Sequence, residues 1–406
     1  MPWKVDAVSD VRFALCHAVR SLHRPVAAVA REFGVSRKTA HKWLNVYDDL
    51  GDRAGEAEAA REAEGAGGST VSAAALADRS RRPRRSPART GDDVERQALA
   101  VRDTYNWGPR KIRAFLLQEA ERAKATAVPP TLPSVRTFAA ILKRHARVRP
   151  AHPQQPIQRF ERPRPNELWQ LDHKGPVEVE RRKVTPLTII DDHSRYCLSF
   201  RPCDDKTMAG AFAILWDVFA DAGLPEAVLS DNAFNTPGIA APGLSWFDAR
   251  LVRLGITPAH GRPYHPQTQG KCERLHGSAV REFIYFNARR DRRDHFDRDA
   301  ERWRGVYNTL RPHEALGDRP PVERWRPSER RRPAKLPEPA YDAGQVTRKI
   351  DCCGEISFRG YRVLVGRGLA GDHVRVEERD AELCVYYCWK RVRSLSPAQL
   401  IKGKLL

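Results

Sequence analysis

Apolar positions in the first 50 residues recur at helical spacing, and this spacing is interrupted once, within REFGVSRKTAHKWL. Gly34 permits a tight turn, and Ser36 can cap the helix that follows it. Two crossing helices joined by such a turn are typical of a helix-turn-helix module, whose second helix enters the major groove of DNA. The pattern therefore predicts a DNA-binding domain over residues 1–50. A helical hairpin with a solvated basic face is the alternative.

The outward face of the second predicted helix is basic. Arginine, lysine, histidine and asparagine side chains can contact the phosphate groups or the base edges of DNA. We therefore expect the DNA contacts of this helix at Arg37, Lys38, His41, Lys42 and Asn45.

Residues 51–91 interrupt the periodic pattern and are predicted to be a linker with a basic arm. The first part, 51–77, is acidic and rich in alanine and glycine, as linkers commonly are, and it leaves room for a frayed helix around Glu56–Glu64. The second part, Arg79–Arg89, holds six arginines and no acid, and its prolines disfavour a helix. We expect this arm to lie along a DNA groove or backbone, and a merely solvated linker is the alternative. The DNA contacts predicted in it are Arg81, Arg82, Arg84 and Arg85.

Helical spacing returns over residues 92–150. GPRKIRAFLL predicts a helix that begins at Pro109, and LPSVRTFAAILKRHARVRP predicts another that is capped by Ser134. These features predict a second helical domain of the helix-turn-helix type. The proline-rich residues 149–165 then close the N-terminal half of the chain.

From Asn166 the spacing changes to that of strands. ELWQLDHKGPVEV, KVTPLTIIDDHSRY and YCLSFRPC come first, and helices then alternate with shorter strands up to the helix HPQTQGKCERLHGSAVREFIYF. This order predicts an α/β domain with a mixed sheet over residues 160–290. A helix and a structured loop follow over 291–335. Alternating short strands over 340–400 predict a small SH3-like β-barrel, which would hold DNA or serve as a dimerisation or structural module.

The charge of the chain indicates a polyanionic partner. The 406 residues include 71 basic and 51 acidic side chains, so the net charge is +20 and the pI is near 9.9. Nucleic acid is the simplest such partner, although GC-rich coding DNA would also favour arginine. No run reaches the ~18 apolar residues of a membrane span and no apolar signal core opens the chain, so we expect a cytoplasmic protein. Eight cysteines without a C-x-x-C pair favour buried thiols over a zinc site.

Three carboxylates occupy positions where an acid is costly or unexpected. Asp172 lies inside the first predicted strand, Asp231 ends a later strand, and Glu273 lies early in the last helix. A fold that brings them together would be unstable unless cations neutralise them. Two Mg²⁺ ions about 4 Å apart would do so, and would activate water or a 3′-hydroxyl for attack on a phosphodiester. The alternative is a turn-forming Asp and a solvated Glu.

Three segments, in this order, resemble the signatures of the DDE transposase/integrase family: WQLDHKG, SDNAF and YHPQTQGKCERLHG. The resemblance is to the integrase-like transposases of bacterial insertion sequences, which are similar to retroviral integrases. It covers nearly the whole chain, because LADRSRRPRRSP, DDHSRY and YNTLRPHEALGDRPP also match. The family resemblance implies that the predicted α/β domain is an RNase H-like core.

The resemblance also implies roles for individual acids. Asp172, Asp231 and Glu273 would be the catalytic residues and would hold two Mg²⁺ ions per active site, with Mn²⁺ as a substitute. Asp191 and Asp192 compete for the first position. They belong to DDHSRY, however, which resembles a structural strand end in the family, so Asp172 is preferred.

The helix that carries Glu273 is predicted to contact DNA. Gln269, Glu273 and His276 fall on one helical face. Gln269 resembles the family residue that touches DNA near the scissile phosphate. Lys271, Arg274 and His276 would hold phosphate groups around it, and a solvated basic face is the alternative.

The resemblance implies an insertion-sequence transposase, associated with the bacterial nucleoid, that binds terminal inverted repeats in double-stranded DNA. It would catalyse metal-dependent cleavage and strand transfer. Because two element ends must be held at once, we expect a dimer or larger assembly on DNA. Two alternatives stay open: a catalytically inactive, transposase-derived DNA-binding regulator, and an RNase H-like nuclease that only hydrolyses. A joined DNA product would distinguish the transposase from the nuclease.

Overall fold

The computed structural model describes residues 8–62, 71–78, 89–123, 132–148, 161–204, 206–231, 243–260, 270–396 and 399. The chain divides into two compact units, Met1–Arg89 and Thr90–Leu406, and each has its own hydrophobic core. Within the ranges given above, no helix has both the length and the apolar character that crossing a membrane requires.

In the described part of the first unit there are three α-helices, which are α1 (Val8–Arg20), α2 (Val26–Glu32) and α3 (Arg37–Glu62). The turn between α2 and α3 forms as the sequence predicts. Gly34 has a φ of +64°, and the Ser36 hydroxyl accepts a hydrogen bond from the Thr39 N–H at 3.1 Å. A buried core joins the three helices to a short 3₁₀ turn, and it includes Leu15, Cys16, Val29, Ala40, Leu44 and Leu76.

Helix α3 extends past the predicted domain boundary at residue 50. It continues to Glu62, into the stretch where the sequence indicates a frayed helix around Glu56–Glu64. The reason is local, because alanine, glutamate and arginine dominate this stretch and all three have high helix propensity.

The second unit begins with three helices, which are α4 (Asp92–Tyr105), α5 (Pro109–Arg122) and α6 (Val135–Arg144). Both predicted starts are confirmed. Pro109 occupies the first turn of α5, and the Ser134 hydroxyl caps α6 by accepting from the Thr137 N–H at 3.2 Å.

The centre of the second unit is a mixed six-stranded sheet. Its longest strand, β3, pairs antiparallel with β1, β2 and β4, whereas β5 and β6 extend the sheet from β1 in parallel. The predicted α/β domain with a mixed sheet is therefore confirmed. The strands are β1 (Trp169–His173), β2 (Val177–Val179), β3 (Arg182–Asp191), β4 (Cys197–Cys203), β5 (Ala227–Ser230) and β6 (Thr257–His260).

Helices cover both faces of this sheet, because successive side chains of a strand point to opposite faces. Ile189 packs among apolar residues of α7 and α8, and Ile190 packs among those of α9 and α10. A mixed sheet between helices fits an RNase H-like core. The helices are α7 (Met208–Ala222), α8 (Trp246–Arg253), α9 (Gly270–Ala279), which continues as a π-helical turn (Val280–Ile284), and α10 (Arg293–Thr309).

A buried carboxylate joins α4 and α5 to this core. Glu282, in the π-helical turn, accepts hydrogen bonds from Lys111 Nζ at 2.8 Å, from Arg311 Nε at 2.8 Å and from the Trp107 indole at 3.3 Å. Burial raises the pKa of Glu282, but the charges of Arg311 and Lys111 and their hydrogen bonds outweigh it and lower the pKa to about 2. The first helices of the unit are thus fixed to the core by charge as well as by packing.

The C-terminal segment contains six short strands. A four-stranded antiparallel sheet has the order β12-β11-β10-β7, and β8 and β9 form a separate hairpin. The strands are β7 (Thr347–Lys349), β8 (Glu355–Phe358), β9 (Tyr361–Leu364), β10 (His373–Arg379), β11 (Glu382–Tyr387) and β12 (Lys390–Leu395).

These C-terminal strands pack on α8. Their core includes Leu244, Ala249 and Val252, and the Trp389 indole donates a hydrogen bond to the Val252 carbonyl oxygen at 2.9 Å. The approach is close at Gly368, where an added Cβ would lie 2.2 Å from the Leu244 carbonyl oxygen. The β-rich segment and α8 therefore share one hydrophobic core.

Candidate active site

The register of two parallel strands brings Asp172 and Asp231 together. Leu171 of β1 pairs with Ser230 of β5, and the residues that directly follow this pair are Asp172 and Asp231. Both carboxylates are half-buried at this end of the sheet. Parallel neighbouring strands place residues of matched register side by side, which makes this pair a direct consequence of the strand order.

Helix α9 brings Glu273 to the same end of the sheet. Its apolar side is fixed in the core by Cys272 and Leu275, while Glu273 itself is exposed. One turn further on, His276 Nε2 lies 2.9 Å from the Thr188 hydroxyl, and His276 Nδ1 lies 3.9 Å from Asp172 Oδ2. The helix therefore packs against β1 and β3 beside Asp172.

The electrostatics of Asp172 show that the three carboxylates influence one another. Burial, together with the charges of Asp231 and Glu273, raises the pKa of Asp172 to about 6. A hydrogen bond from the His173 backbone and the charge of Lys206 act in the opposite direction. Like charges in a half-buried place are unfavourable unless a cation neutralises them. The site thus has the electrostatic character of a cation site.

The donor set suits a hard divalent cation, because all three candidate ligands are carboxylates. The side chains are not gathered into a closed coordination shell. In the part of the chain that the structure describes, no group of three or more His, Cys, Asp or Glu side chains has the spacing to hold a metal ion. Asp231 and Glu273 are close enough to Asp172 to raise its pKa, but the three acids would have to converge further to share an ion.

Asp191, one of the two rival acids, serves the fold. It is fully buried at the end of β3, and its carboxylate accepts hydrogen bonds from the Asn166 N–H at 2.8 Å, the Ser194 N–H at 2.8 Å and the Ser194 hydroxyl at 2.6 Å. Burial raises its pKa, and these hydrogen bonds oppose that rise. Such contacts are those of a structural turn, as the motif interpretation of DDHSRY predicts.

Asp192, the other rival, is also fully buried and holds Lys271. Its carboxylate accepts from the Arg162 N–H at 2.7 Å and from Gln170 Nε2 at 2.8 Å, and it forms an ion pair with the Lys271 ammonium. Lys271 also donates to the Asp192 carbonyl oxygen at 3.0 Å, and its side chain is only 12% exposed. The ammonium that was expected to hold phosphate is therefore engaged inside the core.

The other residues predicted to contact DNA differ in their placement. Arg37, Lys38, His41 and Lys42 are all exposed on the first turns of α3, and Arg274 is exposed on α9. His276 is turned inward on Thr188, as described above. Asn45 is exposed further along α3. The other predicted contacts lie outside the described residues, and they are Arg81, Arg82, Arg84, Arg85 and Gln269.

One cation of the site has no signal in the sequence. Lys206 is exposed in the segment before α7, and its charge lowers the pKa of Asp172. It belongs to none of the motifs, and it lies 34 positions after Asp172 in the chain. Only the folded arrangement brings the two charges together.

Two family models, both described as Integrase core domain, match residues 162–266 and residues 254–321 of the chain. Together they cover the six-stranded sheet, helices α7–α10 and all three candidate acids. Residues 162–321 are thus similar to an integrase core domain.

Two relatives carry insertion-element names. The chain is 26% identical over 235 residues to a putative transposase for insertion sequence element IS5376 of Geobacillus stearothermophilus. The match covers 55% of this chain and 57% of that protein. It is also 26% identical over 164 residues to an uncharacterized 39.2 kDa protein of insertion element IS476 from Xanthomonas euvesicatoria, 39% of this chain and 44% of that protein. The chain spans about half the length of these relatives. The family models and the names of these relatives support the predicted resemblance to the DDE transposase/integrase family.

Several solved integrase structures match part of the chain with low TM-scores. The HTLV-2 integrase catalytic core domain in complex with magnesium has a TM-score of 0.30 at 15% identity and covers 40% of this chain and 97% of its own. The simian T-cell lymphotropic virus intasome has a TM-score of 0.35 at 19% identity, and the match covers 65% of this chain and 92% of that chain. The BIV integrase catalytic core domain has a TM-score of 0.28 at 17% identity, and the match covers 39% of this chain and 92% of that chain. With TM-scores this low, no property of those proteins is transferred to the chain.

Proposed function

We propose that the protein is an insertion-sequence transposase that cuts DNA at the ends of its element and joins those ends to target DNA. The observation that carries this proposal is the parallel pairing of β1 and β5. It sets Asp172 beside Asp231, within the electrostatic reach of Glu273 on α9. Three acids at the end of a mixed sheet support phosphodiester chemistry, because their mutual repulsion favours the binding of divalent cations there.

Asp172, Asp231 and Glu273 would hold two Mg²⁺ ions, for which Mn²⁺ would substitute. The all-carboxylate donor set supports this assignment. When bound, the ions would neutralise phosphate charge and activate the attacking oxygen. The paired ends of β1 and β5 would orient two of the acids, and the packed helix α9 would orient the third.

The first unit would recognise the terminal inverted repeats. The α2–turn–α3 arrangement supports a helix-turn-helix function, because Arg37, Lys38, His41 and Lys42 are exposed on the helix that would enter the major groove. The predicted basic arm and its four arginines belong to the same proposal. Among the basic residues of α9, only Arg274 is proposed as a phosphate contact.

The remaining parts of the proposal concern α4–α6, the C-terminal strands and assembly. Helices α4–α6 would form a second helix-turn-helix-like module, and the C-terminal strands would form an SH3-like barrel. Both would add DNA contacts near the core. Because two element ends must be cut and joined together, the working form would be a dimer or a larger assembly on double-stranded DNA.

The test is a strand-transfer assay with the full chain. Purified protein is incubated with labelled DNA that bears its own flanking element ends, in Mg²⁺ or in Mn²⁺, beside the variant Glu273→Gln. We expect joined product from the parent protein and none from the variant, while both bind the end DNA equally.

Other outcomes would replace the proposal. Binding without cutting or joining by the parent, in both metals, would indicate a DNA-binding regulator. Cutting without joining would indicate a nuclease. Equal joining by parent and Glu273→Gln would remove Glu273 from the site.

A further inference from the structure

Three polar side chains form a continuous contact next to Asp231. His260 Nε2 lies 3.0 Å from Asp248 Oδ2, and His260 Nδ1 lies 3.3 Å from the Ser230 hydroxyl oxygen. Asp248 lies on α8, His260 on β6 and Ser230 on β5. None of them belongs to the candidate acids, and the contact links three elements that carry or flank the site.

The contact is built into the parallel pairing of β5 and β6. Ser230 and His260 are register partners, so their side chains meet at matched positions of neighbouring strands. Ser230 directly precedes Asp231, and His260 is the last residue of β6. The pairing therefore fixes the two strand ends relative to each other.

The hydrogens can be assigned from the chemistry of the partners. The Asp248 carboxylate accepts only, so the proton of a neutral His260 lies on Nε2 and is donated to Asp248. Nδ1 then accepts the hydrogen bond that the Ser230 hydroxyl donates. The contact thus runs in one direction, from the Ser230 hydroxyl through the imidazole to the buried carboxylate.

Asp248 is 2% exposed, and among the described residues its second oxygen, Oδ1, has no hydrogen-bond partner. A buried carboxylate oxygen without a partner costs free energy. A hydrophobic residue would avoid that cost in a position that served packing alone. We take this cost as a sign that the carboxylate is retained for its hold on His260.

Serine, histidine and aspartate in this order resemble the nucleophilic triads of hydrolases, but the burial excludes that role. Ser230 is 1% exposed, so its hydroxyl is out of reach of a substrate. Nucleophilic catalysis requires an accessible oxygen. The contact must therefore act on its own surroundings.

We propose that Asp248, His260 and Ser230 form a positioning network that fixes the end of β5 so that the Asp231 carboxylate is directed at Asp172 for metal binding. The network rests on the metal-binding role proposed above for Asp231. Helix α8, which carries Asp248, is itself held in place, because it shares a core with the C-terminal strands and accepts a hydrogen bond from Trp389.

The test measures metal binding without DNA. Mn²⁺ binding to the full chain is followed by the electron paramagnetic resonance of the free ion, for the parent, Ser230→Ala, Ser230→Thr and His260→Ala. Partners behind a metal ligand are commonly worth ~10-fold or more in metal affinity, so we expect the Mn²⁺ dissociation constant to rise about 10-fold in Ser230→Ala and in His260→Ala. Ser230→Thr keeps the hydroxyl and is expected to stay near the parent.

A double variant and a matched control sharpen this test. If both residues act through one contact, Ser230→Ala combined with His260→Ala weakens Mn²⁺ binding no more than the weaker-binding single variant. The control is His295→Gln, since His295 pairs with Asp291 at 3.0 Å on α10. This control is expected to bind Mn²⁺ like the parent.

The outcomes separate this inference from the proposed function. Mn²⁺ binding at parent strength by Ser230→Ala would overturn the network, and so would additive losses in the double variant. If the parent binds no Mn²⁺, the metal role of Asp231 fails and the network fails with it. If the parent binds Mn²⁺ but joins no DNA, the transposase proposal fails, and the Mn²⁺ affinities still decide the network. Should His260→Ala not fold, the Ser230 pair alone gives the decision.

Discussion

Two groups of acidic side chains lie at the same sheet and differ in what surrounds them. Asp191 and Asp192 end β3 and are fully buried, and every contact described above comes from inside the protein. Asp172 and Asp231 lie side by side near the ends of two parallel strands, and the neighbouring charge that most affects Asp172 is the carboxylate of Asp231. The comparison teaches that the partners of an acid, rather than its residue type or strand position, distinguish a carboxylate that is hydrogen-bonded within the fold from one that is repelled by its neighbours.

The largest effect is expected when an acid of the candidate site is neutralised. Asp172→Asn should lower strand transfer by ~10³-fold or more, because the charge that a divalent ion would bind is gone. The same change removes repulsion from Asp231, so the thermal unfolding midpoint should stay level or rise. Joining assays and calorimetry on one preparation measure both. Full joining activity in Asp172→Asn would contradict the division between the two groups.

Neutralising a buried structural acid should instead lower the unfolding free energy of the protein. Asp192→Asn leaves the Lys271 ammonium without its carboxylate, and breaking a buried ion pair of this kind costs about 3–5 kcal/mol of unfolding free energy. Urea denaturation measures the loss. The matched control is Asp217→Asn, which disturbs an exposed pair with Arg201 and should change the free energy by less than about 0.5 kcal/mol. Equal losses in both variants would show that burial does not distinguish them.

A third buried carboxylate extends the comparison to pH. The pKa of Glu282 is about 2 in the folded protein against an ordinary 4.5, so its contribution is complete above pH 4.5 and is lost as the pH falls towards 2. At 1.36 kcal/mol per pH unit this amounts to about 3 kcal/mol. We expect the unfolding free energy of the parent to fall more steeply over this window than that of Glu282→Gln. Parallel pH profiles would remove Glu282 as the cause.

The smallest effect separates two basic neighbours on α9. Arg274 is exposed, so Arg274→Gln should leave stability unchanged and lower the salt dependence of DNA binding by about one phosphate contact. Lys271→Gln should instead lower stability and leave the salt slope of DNA binding unchanged. Filter binding at several salt concentrations, beside urea denaturation, measures both. A reversal of the two results would mean that Lys271 leaves Asp192 when DNA binds.

Much of the fold could be predicted from the sequence because its signals are local. The caps at Ser36 and Ser134, the glycine turn at Gly34 and the proline start at Pro109 each act within one turn of a helix. The alternation from strands to helices likewise predicted a mixed sheet. The assignment of the three acids to one site came from the order of the motifs, since no local pattern states that β1 and β5 are neighbours.

Contacts between residues that are far apart in the chain were not predicted, because the spacing of residues within one helix or strand does not show them. Lys271 lies on a basic helical face by periodicity, yet its partner is 79 positions earlier in the chain. His276 was predicted at DNA, but it faces Thr188, 88 positions away. The contact between Ser230 and His260 depends on the register of β5 against β6. Each of these needs the sheet to be assembled before the neighbours are known.

The shared core of α8 and the C-terminal strands has a practical consequence for anyone preparing the protein. A shortened chain limited to residues 162–321, which the integrase core models match, would leave Leu244, Ala249 and Val252 without their cover. An apolar face uncovered in this way promotes aggregation. Such a fragment should therefore be recovered mainly as insoluble material, whereas a fragment that keeps residues 90–396 should remain in solution during purification.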